Sequence, residues 1–315
     1  MRYVFLLIVC TIFYSCFGSN KDAAALPANV ERRYTMPLPF SSHRESDNTF
    51  YDVKDLSALL SYLDDTSIKS LRLYRGTYTD LSPLAILTEL EELSIVANDN
   101  LIDLSPLRSL TSLKSLQLLN DNFAESLEPL SALVNLRYLK LWHRDRDYRE
   151  LLPLQQLETL KLSNLLPTQN LDLTYIAQLY SLKELDISVS FRNMLVNIDR
   201  LGDLVNLEQL TLLGVDPMDI SWMANLQNLQ ELTLRSTTID DISPLAELPN
   251  LVSVNLEYVT VQDIAPLLES GSIKSIHQHF GQFYSDRDKD YQLMKELSPQ
   301  FEERGIDHSY YFDDR

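Results

Sequence analysis

The stretch DLSPLAILTELEELSIV, residues 80–96, contains one complete unit of a pattern that recurs along most of this 315-residue chain. The aliphatic positions of this unit are Leu84, Leu87, Leu90, Leu93 and Ile95. Intervals of three residues suit one face of a short helix or 3-10 turn, and the final interval of two suits one side of a strand. The spacing therefore predicts a short helical segment followed by a short strand, with every aliphatic side chain on the same side.

The phrase that opens this unit returns at regular intervals. Clear copies of it start at residues 80, 103, 241 and 263, and looser copies start at residues 55, 126, 150, 172, 197 and 219. Successive starts are 22 to 25 residues apart. A fixed period of this length is typical of a solenoid, in which each coil is stabilised only by its neighbours. We therefore expect about ten coils across residues 55–278.

Each phrase also carries signals for the start of a helical turn. Serine and threonine are favourable N-caps, and proline at the first helical position sacrifices no hydrogen bond. The predicted N-caps are Ser57, Ser82, Ser105, Thr174, Ser221 and Ser243. The aspartates at the phrase starts are likewise interpreted as capping residues and not as catalytic carboxylates.

These phrases resemble the leucine-rich repeat, most closely the 22-residue bacterial type of the internalins, which is similar to the phosphatase-regulator type. The resemblance implies an α/β solenoid: an arc with a parallel β-sheet on its concave side and short helical or 3-10 segments on its convex side. The family usually places an asparagine three residues after the last strand leucine, where it bonds between coils, and only Asn98 matches. The unit that starts at Glu150 lacks one leucine spacing, which predicts irregular stacking around residues 140–200.

The residues that flank each Leu-x-Leu should point away from the core, onto the concave face. The predicted partner-binding residues are Arg72, Tyr74, Tyr138, Lys140, Trp142, Lys161, Glu184, Asp186, Arg235 and Glu257. Among them, Tyr138, Lys140 and Trp142 are typical of a binding hot spot, although Trp142 could instead only pack over the loop that follows it. Val96, Leu119 and Leu213 are interpreted as apolar residues scattered singly.

Composition and motifs exclude several functions. The chain has 45 acidic and 27 basic residues, which give a formal charge of −18. A negative charge of this size opposes binding to nucleic acid or to an anionic membrane. Its seven glycines form no dinucleotide fingerprint, P-loop or nucleophile elbow. His277 and His279 share one face of a strand, but the sequence supplies no third metal ligand with confidence. No catalytic residue, metal or cofactor is predicted, and an enzyme is disfavoured.

Residues 1–16 are typical of a secretory signal peptide, with one basic residue before an apolar run that is shorter than the roughly 20 residues of a membrane span. Their end, Phe13–Cys16, resembles a bacterial lipobox, although Phe13 and Tyr14 stand where the family prefers leucine and a small residue. Lipidation of Cys16 would anchor the protein to a membrane by its N-terminus alone. The alternative is ordinary cleavage after Gly18.

The segments on either side of the repeats do not follow the repeat pattern. Residues 17–54 predict a tether and N-terminal cap, and residues 279–315 predict a C-terminal cap. In the C-terminal cap we expect a helix from Asp288 to Leu297, a separate turn ending at Gly305, and packing of the aromatic residues 310–312 on the last coil.

Together these features predict an exported, lipid-anchored protein of the bacterial cell envelope or surface that binds a protein partner through its concave face. A periplasmic or secreted protein without a lipid is the alternative location. The alternative function is a structural or regulatory envelope scaffold that acts through its convex face or tail.

Overall fold

The computed structural model describes residues 49–51, 53–62, 67–98, 103–119, 126–142, 148–165, 171–189, 195–214, 219–280 and 287–312. Twelve strands in this part of the chain form one sheet in which every neighbouring pair is parallel. In order across the sheet they are β1 (Thr49–Tyr51), β2 (Ser70–Tyr74), β3 (Glu92–Val96), β4 (Ser115–Leu119), β5 (Tyr138–Trp142), β6 (Thr159–Leu165), β8 (Glu184–Val189), β10 (Gln209–Leu213), β11 (Glu231–Arg235), β13 (Ser253–Glu257), β15 (Ser275–Phe280) and β16 (Asp307–Phe312). Two smaller parallel pairs join β7 (Leu171–Asp172) to β9 (Leu195–Val196) and β12 (Thr238–Ile239) to β14 (Thr260–Val261).

A short helical segment precedes each sheet strand from β2 onward. Helix α1 (Leu56–Tyr62) precedes β2, and helix α2 (Arg287–Glu303) precedes β16. The intervening segments are 3-10 helices at Ser82–Ile86, Ser105–Ser109, Glu128–Ala132, Tyr148–Leu151, Ile176–Gln178, Ile198–Asp203, Ser221–Asn225, Ser243–Leu245 and Ala265–Glu269. The predicted alternation of helical turn and strand, and with it the leucine-rich-repeat arc, is confirmed.

The core is a continuous aliphatic spine that runs from coil to coil between the strands and the 3-10 helices. In the unit of residues 80–96, all five predicted aliphatic side chains are at most 1% exposed. The cluster of buried residues extends without division from Val53 to Ile306. Burial of one such side chain is worth roughly 2 kcal/mol, so the stack depends on neighbouring coils that cover each layer.

The coil starts are capped by aspartate, and the prediction of serine and threonine N-caps is wrong. In the four clear phrases the 3-10 helix begins at the serine or alanine of the phrase, so that residue lies inside the helix and is not its N-cap. The residue before it is the N-cap, and its side chain makes no capping hydrogen bond. The aspartate two residues earlier accepts that backbone N–H instead, at 2.7 Å from Ser82 to Asp80 and 2.8 Å from Ser105 to Asp103. Hydrogen bonds from Ser82 hold the pKa of Asp80 below its usual value. The interpretation of these aspartates as capping residues is confirmed.

Asparagine side chains at two positions of the repeat donate hydrogen bonds to backbone carbonyls of the preceding coil. Asn98 is fully buried, and its Nδ2 donates to the backbone carbonyl of Tyr78 at 2.8 Å, as the family pattern implies. A second set, not predicted from the sequence, follows the pattern Leu-x-Asn-Leu just before a strand. Each of its asparagines donates to a carbonyl of the preceding coil at 2.9 Å: Asn135 to Thr111, Asn206 to Tyr180, Asn228 to Val205 and Asn250 to Gln227.

The unit near Glu150 has its full set of layers, so the predicted loss of one spacing is wrong. Tyr148 is 2% exposed and occupies the place that Leu81 holds in the unit of residues 80–96. Leu151 follows it three residues later and is fully buried. Leu151 supplies the spacing that was counted as missing, because the start of this unit was placed at Glu150, three residues too late. The predicted irregularity is confirmed nearby, where the pairing of β6 with β8 shifts register between Leu162 and Leu165.

The C-terminal cap is one more coil of the stack. Helix α2 continues through Pro299, so the predicted break between two helical pieces is wrong. Met294, Leu297 and Phe301 are buried along one side of the helix, and this packing holds it together across the proline. The aromatic end of the chain lies in β16, which pairs with β15, and Tyr310 packs against the core.

The N-terminal predictions fall largely outside the described residues. The described part of the tether and cap region includes β1, which forms the edge of the sheet beside β2. The signal peptide, Cys16 and the rest of the tether up to residue 48 lie beyond it. Within the described residues, the helices lack the length and apolar character that crossing a bilayer requires.

Candidate binding surface on the concave face

Strand register brings six of the predicted partner-binding residues together on β5, β6 and β8. Lys140 is paired in register with Lys161, and Lys161 with Asp186. Two residues earlier on the same strands, Tyr138 is paired in register with Thr159, and Thr159 with Glu184. We call Tyr138, Lys140, Trp142, Lys161, Glu184 and Asp186 the central patch; all six side chains are half-buried.

The acidic residues of the central patch already have partners within the protein. Glu184 Oε1 lies 2.5 Å from the ammonium nitrogen of Lys161, and Glu184 Oε2 accepts a hydrogen bond from Thr159 Oγ1 at 3.3 Å. Asp186 Oδ1 accepts a hydrogen bond from Ser188 Oγ at 3.1 Å. Burial, with the nearby charges of Glu184 and Asp186, raises the pKa of the Tyr138 hydroxyl to about 12. Tyr138 is therefore a neutral hydrogen-bonding group at physiological pH.

Lys140 has a different environment from Lys161. Burial and the neighbouring charge of Lys161 lower the pKa of the Lys140 ammonium, and Asp186 offsets part of this effect. No described carboxylate lies within ion-pair distance of Lys140. The central patch therefore contains one ammonium that is partly desolvated and not neutralised by direct contact.

Apolar side chains form a second feature of the concave face, beside the central patch. Tyr74, Val96 and Leu119 are paired in register on β2, β3 and β4, and Trp142 ends the next strand. We call these four residues the apolar row. The interpretation of Val96 and Leu119 as singly scattered is therefore wrong, because the repeat period places them side by side. Leu213 does stand apart, between Ser188 and Arg235.

The other predicted residues lie away from the central patch. Arg72 is only 8% exposed, and its Nη2 is 3.6 Å from Glu92 Oε2. On β11 and β13, Arg235 and Glu257 form an ion pair through two contacts, each of 2.9 Å. Internal pairing of this kind reduces what these charges offer to a partner.

The two histidines near the C-terminal end of the face contact protein groups. His277 Nδ1 is 2.5 Å from Ser309 Oγ. The ring of His279 packs between Tyr258 and Tyr311, with centroid distances of 4.5 and 4.9 Å. Among the described residues, no three His, Cys, Asp or Glu side chains are grouped so that they could hold a metal ion.

Comparisons with solved structures identify the architecture. An internalin (inlF) from Listeria monocytogenes superposes with a TM-score of 0.64 at 22% identity, covering 83% of this chain and 73% of the internalin. The chain has the leucine-rich-repeat fold. A leucine-rich-repeat protein from Leptospira interrogans superposes on this solenoid with a TM-score of 0.56 at 17% identity, covering 78% of this chain and 67% of its own.

A plant receptor shares the fold over a smaller part of its length. The Arabidopsis receptor kinase HAESA, solved in complex with the peptide hormone IDA and the co-receptor SERK1, superposes with a TM-score of 0.54 at 18% identity. The match covers 68% of this chain and 39% of the receptor chain. No protein-family model and no curated protein sequence matches the leucine-rich-repeat chain described above.

Proposed function

We propose that this protein is an exported, lipid-anchored binding module of the bacterial cell envelope that engages a protein partner through its concave face. The observation that carries the proposal is the continuity of the apolar row with the central patch, which share Trp142. Aromatic anchors beside charged groups are typical of the residues that dominate protein interfaces. HAESA, which has the same fold, was solved with a peptide hormone and a co-receptor, which supports a role in recognising peptides or proteins.

A second candidate function is a scaffold that acts through the side of the solenoid away from the sheet. Tyr180 and Val205 are 53% and 50% exposed there. They occupy equivalent positions in successive coils, since Asn206, directly after Val205, bonds to the carbonyl of Tyr180. Two adjacent exposed apolar side chains favour this alternative enough to test it alongside the first.

Substitution of the central patch should separate these two functions. We expect the triple variant Tyr138→Ala, Lys140→Ala, Trp142→Ala to bind an envelope partner at least about tenfold more weakly than the unsubstituted protein, because truncated aromatic anchors typically cost 2 kcal/mol or more. The matched control is the double variant Tyr180→Ala, Val205→Ala, which should bind normally. Binding is measured by surface plasmon resonance with the partner identified by cross-linking in envelope fractions.

The reverse pattern would favour the scaffold. If the double variant loses the partner while the triple variant keeps it, the concave face is not the binding surface. Thermal melts that match the unsubstituted protein would show that neither set of substitutions acts through unfolding.

The lipid anchor is tested by a single cysteine substitution. In a bacterial host, Cys16→Ser should move the protein from the membrane fraction to the soluble fraction, because the acyl chains would have no attachment site. Mass spectrometry of the mature N-terminus should show the acylated cysteine in the unsubstituted protein. Cys10→Ser is the matched control, since Cys10 lies inside the predicted signal peptide and should not affect anchoring. A mature chain that begins after Gly18 would contradict the lipid anchor.

A further inference from the structure

Lys140 lies between two aromatic residues on the concave face. Tyr138 and Trp142 are two residues away in either direction on β5, so their side chains leave the sheet on the same side as that of Lys140. Across the neighbouring strands, the register partners of Lys140 are Gln117 on β4 and Lys161 on β6. A lysine in this setting loses water on several sides and has Asp186 nearby, but it has no described carboxylate in direct contact.

The other lysines whose side chains the structure describes are either paired or well exposed to water. Four have a carboxylate oxygen within 2.9 Å of Nζ: Lys69 with Glu89, Lys114 with Glu91, Lys161 with Glu184 and Lys183 with Glu158. Three more are exposed: Lys54, Lys274 and Lys295. Lys140 is half-buried and lies outside ion-pair distance of every described carboxylate.

A carboxylate of a binding partner would supply the direct ion pair that Lys140 lacks. Burial and the Lys161 charge lower the pKa of Lys140, and Asp186 partly offsets them, so the unbound protein stabilises the charged ammonium less than water does. An incoming anion would reverse that effect and form a charge-assisted hydrogen bond, which is stronger than one between neutral groups. Lys161 competes weakly for the same anion, because Glu184 already neutralises it.

A basic partner segment fits the same surface less well. The nearby acidic groups, Glu184 and Asp186, are engaged by Lys161, Thr159 and Ser188. A cation that reached Asp186 would lie beside Lys140 and Lys161, whose positive charges would oppose it. The ammonium of Lys140, which has no described carboxylate in contact, thus favours an anion, although the whole chain is acidic.

We propose that Lys140 and the apolar row together recognise a partner segment in which an acidic side chain lies within two residues of a large apolar one. The acidic side chain binds the ammonium of Lys140, and the apolar side chain packs on Trp142, beside Leu119, which is 9% exposed. Neighbouring strands are about 4.8 Å apart, and two residues of extended peptide span about 6.6 Å, so one short segment reaches both places. This inference rests on the proposed concave-face function and specifies the chemistry of its partner.

The test uses a displayed library of random dodecapeptides, selected against the whole protein. Enriched peptides should carry Asp or Glu within two positions of Trp, Phe or Leu. A synthetic peptide of the most enriched sequence should bind Lys140→Met at least about tenfold more weakly than it binds the unsubstituted protein. Replacing its acidic residue by the amide should weaken binding to the unsubstituted protein similarly, and should change binding to Lys140→Met little. Lys183→Met, a lysine away from the concave face, should bind the peptide normally.

The outcomes separate this inference from the proposed function. Binding that is lost in Trp142→Ala but retained in Lys140→Met would overturn the inference and leave the concave-face function standing. Binding that survives both substitutions would count against the concave face itself. Enrichment of basic peptides, or of no peptide sequence at all, would also overturn the inference. Circular dichroism and thermal melting establish that each variant is folded.

Discussion

Replacing Leu160 by alanine is expected to lower the free energy of unfolding by about 3–5 kcal/mol, the cost of deleting a fully buried leucine side chain. Leu160 is 0% exposed in β6, where its register partners are Leu139 and Leu185, also 0% exposed. The measurement is urea unfolding followed by circular dichroism. Val134→Ala is the matched control, since Val134 is 46% exposed and its truncation should cost about 0.5 kcal/mol or less.

The size of this effect follows from the one-dimensional core. Each coil contacts only the coils before and after it, so a cavity at Leu160 cannot be filled from elsewhere in the protein. The cavity should weaken the contacts that couple the N-terminal coils to the C-terminal coils. The two ends should then unfold less cooperatively, and the unfolding transition should broaden or split. If Leu160→Ala and Val134→Ala have equal effects, the aliphatic spine is not what stabilises this chain.

The spine could be predicted because burial depends on a short repeated pattern that one sequence displays many times. The identity of the capping residue could not, since both Asp80 and Ser82 can accept a hydrogen bond from a nearby amide. The choice depends on where the 3-10 helix begins, which differs by one or two residues from the expected position. Leu151 shows a related limit: the loosely matching phrase was started at Glu150, three residues too late, so this buried leucine fell outside the predicted unit.

The binding surface was predicted less completely than the fold. Membership of the concave face follows from alternation along each strand, which identified Tyr138, Lys140 and Trp142. Adjacency across strands depends on register, so the side-by-side placement of Val96 and Leu119 became visible only in the sheet. The same holds for ion pairs, since Lys161 and Glu184 are 23 residues apart in the chain but neighbours in space.

His308 illustrates how packing can change the character of a residue near the end of the chain. Its side chain is buried in the C-terminal cap, with its ring against those of Phe301 and Tyr310 at centroid distances of 4.9 and 5.7 Å. The Nε2–H group donates to Gln278 Oε1 at 2.9 Å, and the Ser298 hydroxyl donates to Nδ1 at 2.7 Å. These two bonds satisfy a neutral imidazole that carries its proton on Nε2.

We therefore expect the stability of the protein to fall as the pH is lowered from about 6.5 towards 4. Burial lowers the pKa of His308 to about 4 from its usual 6.5; Asp307 opposes this shift, and His277 adds to it. Between these two values the unfolded chain binds a proton that the folded chain does not, so unfolding is favoured progressively as the pH falls. A shift of this size corresponds to about 3 kcal/mol at the acidic end, and the contribution of His308 should be constant above pH 7.

Urea unfolding at pH 7.5, 6.5, 5.5 and 4.5 provides the measurement, with His308→Gln as the variant that retains hydrogen-bonding groups but does not titrate. The capping aspartates lose stabilising hydrogen bonds in acid in both proteins, so the informative quantity is the difference in unfolding free energy between them at each pH. That difference should shrink as the pH falls, because only the unsubstituted protein pays the cost of a buried imidazolium. His277→Gln, on the neighbouring strand and exposed, should keep most of the pH dependence of the unsubstituted protein, because burial and not the charge of His277 is the main cause of the low pKa of His308. A difference that stays constant from pH 7.5 to 4.5 would mean that His308 binds its proton as readily in the folded cap as in the unfolded chain.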